Sequence, residues 1–268
     1  MQPVQEDGWE PRLAVLSWSE FAALPESCKI IVIPVGAIEQ HGHHLPLRTD
    51  AMNVEAVAVE AAREEMVLVA PTLDYGVSPN HLSYPGTISL RQQTLVHVLI
   101  DIGDSLAAHS IRGLLFLNGN GGNADAMRFA AGELRSRRPT LPIGFCDIGD
   151  LRPAVKLRSG VVYHADETET SHALHVNPGS VRRSLAVKEM TDAFLEHYRR
   201  YYDASADLHG IVSYGLPATE TMSESGVMGD ATVASAELGA AWHAGLVQAV
   251  QHAVVDIKRK TAVPGRDI

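Results

Sequence analysis

Three things are scarce in this chain of 268 residues: cysteine, positive charge and long apolar runs. There are two cysteines, Cys28 and Cys146, each beside an apolar stretch. Neither has a Cys or His neighbour at zinc-finger spacing, so both read as buried free thiols of a cytoplasmic protein rather than as a disulfide framework or a finger. Lys and Arg total 22 against 32 Asp and Glu, a formal net charge of −10. That balance argues against nucleic-acid binding, which leaves a basic footprint. No apolar run approaches the roughly 18 residues of a membrane span. The acidic, polar start Met1–Asp7 lacks the basic and apolar regions of a secretory signal. No internal repeat or low-complexity linker interrupts the chain. Residues up to about Trp9 and beyond about Lys260 read as loose termini.

What is present is 46% hydrophobic content, enough for one large α/β domain spanning 1–268. The densest chemistry follows the run Lys29–Val35, which reads as a buried strand. It is the stretch Gly36-Ala37-Ile38-Glu39-Gln40-His41-Gly42-His43-His44-Leu45-Pro46-Leu47-Arg48-Thr49-Asp50. An alanine-rich run, Ala51–Glu65, comes next, with Val54, Val57, Ala58 and Ala61 at helical spacing. The stretch is therefore a loop leaving the carboxyl end of a strand, where open α/β sheets bind ligands. Thr49 or Asp50 is placed to cap the helix. Glu39 and His41 are two apart, so extended backbone points them to one side. With Asp50 they make a carboxylate–imidazole set that suits Zn²⁺, Mn²⁺ or Fe²⁺.

Further elements follow from pattern. Ser17 precedes a short helix within Leu13–Leu24. Met66–Ala70 reads as a short strand and Tyr75–Thr87, rich in Gly, Pro, Ser and Asn, as a long loop. Thr94–His109 reads as a helix with Leu95, Val98, Leu99, Ile102 and Leu106 on its buried face. Leu114–Leu117 reads as a strand ending in the turn Asn118-Gly119-Asn120-Gly121-Gly122-Asn123, before a helix from Ala124. This turn is neither a Walker motif nor Gly-x-Gly-x-x-Gly, so a nucleotide cradle is disfavoured. Leu141–Cys146 reads as a strand, after which Arg152, Lys156 and Arg158 add positive charge. His164-Ala165-Asp166-Glu167-Thr168-Glu169-Thr170-Ser171 is a second polar cluster. His172 and His175 read as structural or surface residues. Helices are expected over Asp192–Tyr202, with its aromatic end packed on a neighbour, and over Val233–Lys258.

The signature loop, Glu-Gln-His-Gly-x-His-Leu-Pro-Leu-x-Thr-Asp, resembles that of the creatininase family of metal-dependent amidohydrolases. His81 with Pro85-Gly86-Thr87, the glycine-rich turn, the His164–Ser171 cluster and Gly226-Val227-Met228-Gly229-Asp230 extend the likeness from about Ile30 to about Leu246. The resemblance implies an α/β, three-layer creatininase-like fold, with a mostly parallel sheet and helices on both faces. It implies one or two divalent metals per subunit, Zn or alternatively Mn or Fe. Glu39, His41, Asp50, Glu169 and Asn120 are the implied ligands. His164 is the implied proton shuttle, with Glu169 sharing catalysis, and substrate contacts fall at His81, Asn118, Gly121 and Gly122.

Three departures matter. Asn120 replaces a ligand His of the family, and a neutral amide is a poorer ligand than imidazole. His43 stands where Pro is usual and could compensate. Asp166 stands where Gly is usual. The implied activity is hydrolysis of a C–N bond, amide, cyclic amide or formamide, in a small polar metabolite by a metal-activated hydroxide. The reaction is not expected to be peptide-specific. Family substrates range over creatinine, formamides of pyrimidine precursors and a peptide bond in mycofactocin maturation; the turn lacks the Glu of true creatininases. A homo-oligomer, a hexamer by analogy, is expected, without nucleic-acid or membrane partners. Two other classes stay open: a degenerate member acting as a binding or scaffold protein, and a metal-assisted enzyme that does not hydrolyse.

Overall fold

The computed structural model describes residues 4–5, 8–151, 153–202 and 217–261. Arg152 and most of both terminal stretches singled out above lie outside the described residues. A four-stranded sheet forms the centre: β1 (Ile30–Val35), β2 (Leu68–Val69), β3 (Gly113–Asn118) and β4 (Ile143–Asp147). All its pairings are parallel, in the order β2-β1-β3-β4. A parallel sheet needs crossover connections and cover on both faces, which is why β1 and β3 read as continuous apolar runs.

The two faces divide alternate residues between two helical layers, as the pleat requires. Ile31, Ile33 and Val35 of β1 pack with Leu114 and Phe116 against α3 (Gln92–Ala107) and α4 (Ala124–Arg137). Ile30 and Val32 pack with Leu115 and Leu117 against α2 (Thr49–Glu64) and α7 (Ala236–Thr261). Both clusters are fully buried, and each buried Ile, Leu or Phe side chain contributes roughly 1.5–3 kcal/mol. A third cluster, Val161, Phe194, Met222 and Met228, anchors α6 (Asp192–Tyr202). Tyr198 stacks there on Tyr163 and Phe194, as the aromatic end of that helix suggested; the side chains of Tyr201 and Tyr202 lie outside the described residues.

The pattern-based elements recur with shifted ends. A capping box does start α1 (Trp18–Ala23): Ser17 Oγ accepts from Glu20 N–H and the Glu20 carboxylate accepts from Ser17 N–H. The expected cap of α2 is wrong. Thr49 and Asp50 lie inside its first turn, the cap position is Arg48, and no side chain caps it. Asp50 is thereby freed to point inward. Gly36 makes this entry possible, since a Cβ there would sit 2.3 Å from Ala51 Cα. Cys28 is buried and Cys146 half-buried, both as free thiols. Among the described residues no helix is long and apolar enough to cross a membrane.

Candidate metal centre

The loop after β1, the start of α2 and the start of α5 (Glu167–Val176) converge above the carboxyl ends of β1 and β3. Glu39, His41 and Asp50 are buried there, at 2%, 0% and 4% exposure. His41 Nε2 lies 3.0 Å from Asp50 Oδ1 and 3.5 Å from Glu169 Oε2. His164 Nδ1 lies 3.6 Å from Glu39 Oε1. Ligand atoms of Glu39, His41 and His164, and of His41, Asp50 and Glu169, thus form two groups compact enough to surround a cation, sharing His41.

Hydrogen bonding fixes which atoms face inward. His41 Nδ1 donates to the Glu39 carbonyl at 3.2 Å. A neutral His41 therefore turns a lone pair on Nε2 toward two carboxylates. Among the described residues, Glu39 Oε2 and Asp50 Oδ2 are buried with no hydrogen-bond partner, and His41 Nε2 has only carboxylates beside it. Buried polar atoms without partners cost stability unless something binds them. Without a cation the cluster must hold protons. Burial, reinforced by the Asp50 charge, pushes Glu39 up to about 8. Glu169 also rises to about 8, through burial against the pull of His41. For His41, burial is outweighed by the Asp50 and Glu169 carboxylates, which raise it to about 10. A divalent cation fits this oxygen–nitrogen donor set in place of those protons.

Gln40 organises the second layer. Its Oε1 accepts from Gly42 N–H, so its Nε2 faces His81 Nδ1 at 2.9 Å and Gly226 O at 3.1 Å. His81 Nδ1 is then an acceptor, and its Nε2–H faces Glu39 Oε1 at 3.5 Å. His164 Nε2 lies 2.8 Å from the Gln40 carbonyl and 2.9 Å from Gln40 Nε2. With the two Nε2 hydrogens of Gln40 directed to His81 and Gly226, His164 donates its Nε2 proton to the carbonyl and keeps the lone pair on Nδ1. Burial and the neighbouring His41 push His81 down to about 3 and His164 well below its ordinary value. The rings of His41, His164 and His81 stack in a column with centroids 4.4 and 4.5 Å apart.

Three of the sequence-based candidates, His43, Asn120 and Asn118, make other contacts or face outward in the structure. His43 is exposed and takes no part in the cluster, so it is not a compensating ligand. The buried imidazole is the next one: His44 Nε2 meets Thr170 Oγ1 at 2.8 Å. The loop turns at Gly42, with φ +63, and that turn sends His43 outward. Asn120 lines the cavity, but its amide is spent locally. Its oxygen accepts from Gly122 N–H, and its nitrogen reaches Val77 O and Ser78 Oγ. Asn120 clamps the loop with these bonds. Asn118 is fully buried and donates to Asn120 O and Asp147 Oδ2, so it holds the loop. Gly121 and Gly122 do line the cavity, as does His81.

Asp166 is the contribution that pattern reading passed over. Fully buried, it caps α5 by accepting from Thr168 N–H and Glu169 N–H and also receives Tyr163 N–H. That fixes where Glu169 enters the site. The signal was present, because Asp followed by Glu three residues on is a capping pattern. Gln40 gave no such signal. Beside the cluster lies a cavity of about 400 Å³, reached by Arg128, Asp147, Asp150, Tyr163 and Trp242.

Comparisons with known proteins agree with this geometry. The Creatininase family model, described as creatinine amidohydrolase, matches residues 14–254. The chain belongs to the creatininase family. The mycofactocin precursor peptide peptidase of Mycobacterium tuberculosis is 34% identical over 240 residues, covering 85% of this chain and 86% of that protein. Creatinine amidohydrolase of Pseudomonas putida is 35% identical over 130 residues, 45% of this chain and 50% of that protein. A creatinine amidohydrolase candidate from Bacteroides fragilis has the same fold, with TM-score 0.79 and 26% identity, covering 93% of this chain and 97% of that one. The creatininase-like, three-layer fold and a hydrolase of this family are therefore established for the chain.

Proposed function

We propose that this chain hydrolyses a C–N bond, in an amide, cyclic amide or formamide, with one or two divalent cations held by Glu39, His41, Asp50 and Glu169. Zn, Mn and Fe all suit this donor set. One observation carries the reading: Glu39 Oε2 and Asp50 Oδ2 are buried carboxylate oxygens with no hydrogen-bond partner among the described residues, both residues line the cavity, and His41 Nε2 faces Asp50 beside them. When bound, the cation supplies Lewis acidity and a nucleophile at neutral pH.

The chain's own groups do the rest. The Gln40 carbonyl holds the Nε2 proton of His164, which leaves Nδ1 as its working nitrogen. Kept neutral by burial, His164 takes a proton from the attacking water at Nδ1 and gives it to the departing nitrogen. Glu169, with 28% of its side chain exposed, reaches the cavity, and its Oε2 accepts from Ala165 N–H at 2.5 Å. That bond holds the carboxylate facing His41. His81 steadies Glu39 rather than the substrate.

The likeness to a peptide peptidase as well as to a creatinine amidohydrolase widens the substrates to be tested. Lactams, formamides and short peptides belong in one panel. Elemental analysis of metal per subunit, paired with Asp50→Ala, is the test. Asp50→Ala is expected to lose metal and turnover together. Failure of wild-type protein to bind Zn²⁺, Mn²⁺ or Fe²⁺ would sink the reading. A homo-oligomer is proposed on family likeness alone, and light scattering of the purified protein tests it.

A further inference from the structure

The cavity wall built by α5 and α7 carries a hydrogen-bonded chain that the hydrolytic reading leaves unused. His172, at 2% exposure, lines the cavity. Its Nε2 lies 2.8 Å from His243 Nδ1, and His243 Nε2 lies 3.0 Å from Glu60 Oε2. Glu60 stands on α2 with its side chain 49% exposed. The chain thus runs from the cavity through three helices to solvent.

The chemistry of the groups gives the chain a direction. A carboxylate only accepts, so His243 Nε2 carries a proton. A neutral His243 then offers a lone pair at Nδ1, and His172 Nε2 must donate to it. That leaves the lone pair of His172 on Nδ1. Burial and the adjacent His243 and His175 hold His172 neutral, pushing it down to about 3. Burial also lowers His243, against the pull of Glu60. His172 Nδ1 has no hydrogen-bond partner among the described residues, yet it is absent from the polar atoms sealed in the interior.

We propose that His172 Nδ1 is a fixed hydrogen-bond acceptor for a substrate N–H, with His243 and Glu60 as positioning residues that set its polarity. The substrate class is narrowed accordingly, to amides or amidines that keep an N–H on the side facing α5 and α7. Fully N-alkylated compounds are disfavoured, because a buried acceptor left unmet costs binding. This inference rests on the proposed function only in taking the cavity as the substrate site.

The test uses full-length, metal-loaded protein with ¹⁵N-labelled histidine, read by two-bond proton–nitrogen correlation and assigned with His172→Asn and His243→Asn. Wild type is expected to show both rings neutral, protonated at Nε2. Glu60→Lys, whose ammonium only donates, is expected to reverse the chain and put both protons on Nδ1. Formamide is expected to move the wild-type His172 Nδ1 resonance, and N,N-dimethylformamide to leave it in place. A proton on His172 Nδ1 in wild type, or equal shifts from the two probes, overturns the proposal. The wild-type tautomer decides even if Glu60→Lys does not fold. Because no turnover is measured, the tautomer and the two probes decide the role of His172 whether or not the separate turnover panel supports the hydrolase reading.

Discussion

Stripping the metal should make stability fall much more steeply in alkali. In the metal-free fold, burial and neighbouring charge raise Glu39 and Glu169 to about 8 and His41 to about 10. The unfolded chain holds these groups near their ordinary values. Between about pH 6.5 and 8 the folded state therefore keeps protons that the unfolded state has lost. Each raised group stabilises the fold below its unfolded pKa and loses that contribution as pH climbs through its folded one. Each such proton is worth about 1.4 kcal/mol per pH unit, so the three together reach about 4 kcal/mol per pH unit. For a chain of this size, that lowers Tm by roughly 3–15 °C from pH 6.5 to 7.5. Below about pH 6.5 the sign turns. His44, His81 and His172, held down at about 4, 3 and 3, then favour the unfolded chain as it takes up protons. Metal-free protein should be most stable near pH 6.5. Metal-loaded protein, whose ligands are deprotonated, should lose far less above it, so the gap widens with pH. Thermal unfolding at pH 5.5, 6.5, 7.5 and 8.5, with chelator and with added Zn²⁺ or Mn²⁺, reads this directly. Glu39→Gln keeps the shape but removes one titrating group, and should flatten the alkaline fall. A metal-free Tm that is flat or rising from pH 6.5 to 8.5 would refute the reasoning.

Other expectations follow from the same geometry. Asn120→Ala should cost about 1 kcal/mol through the lost bond to Gly122 N–H, and His43→Ala next to nothing; both should leave metal per subunit unchanged by elemental analysis. Asp166→Ala removes a buried cap that serves three backbone N–H groups. It should destabilise by about 2–4 kcal/mol in urea unfolding and weaken metal affinity through the displaced Glu169.

The layers of this protein were written in its sequence. Apolar runs at Ile30–Val35 and Leu114–Leu117, alternating with helical periods, specify a parallel sheet covered on both faces. The cause is local, because burial of both faces dictates the composition of each strand. Glu39, His41 and Asp50 were legible for the same reason: they share one loop that leaves β1. Three-dimensional packing decided the rest. Whether Asp50 caps α2 or faces His41 depends on the entry of that helix against Gly36. Whether His43 or His44 turns inward depends on the left-handed turn at Gly42. His164 and Glu169 arrive from more than a hundred residues away. The proton on His164 is set by a Gln40 carbonyl that no spacing rule singles out. His172, His243 and Glu60 come from three separate helices, and a chain of hydrogen bonds between them exists only once those helices are packed. Periodicity records what a residue buries against, while a site records which distant lone pairs are left facing one another.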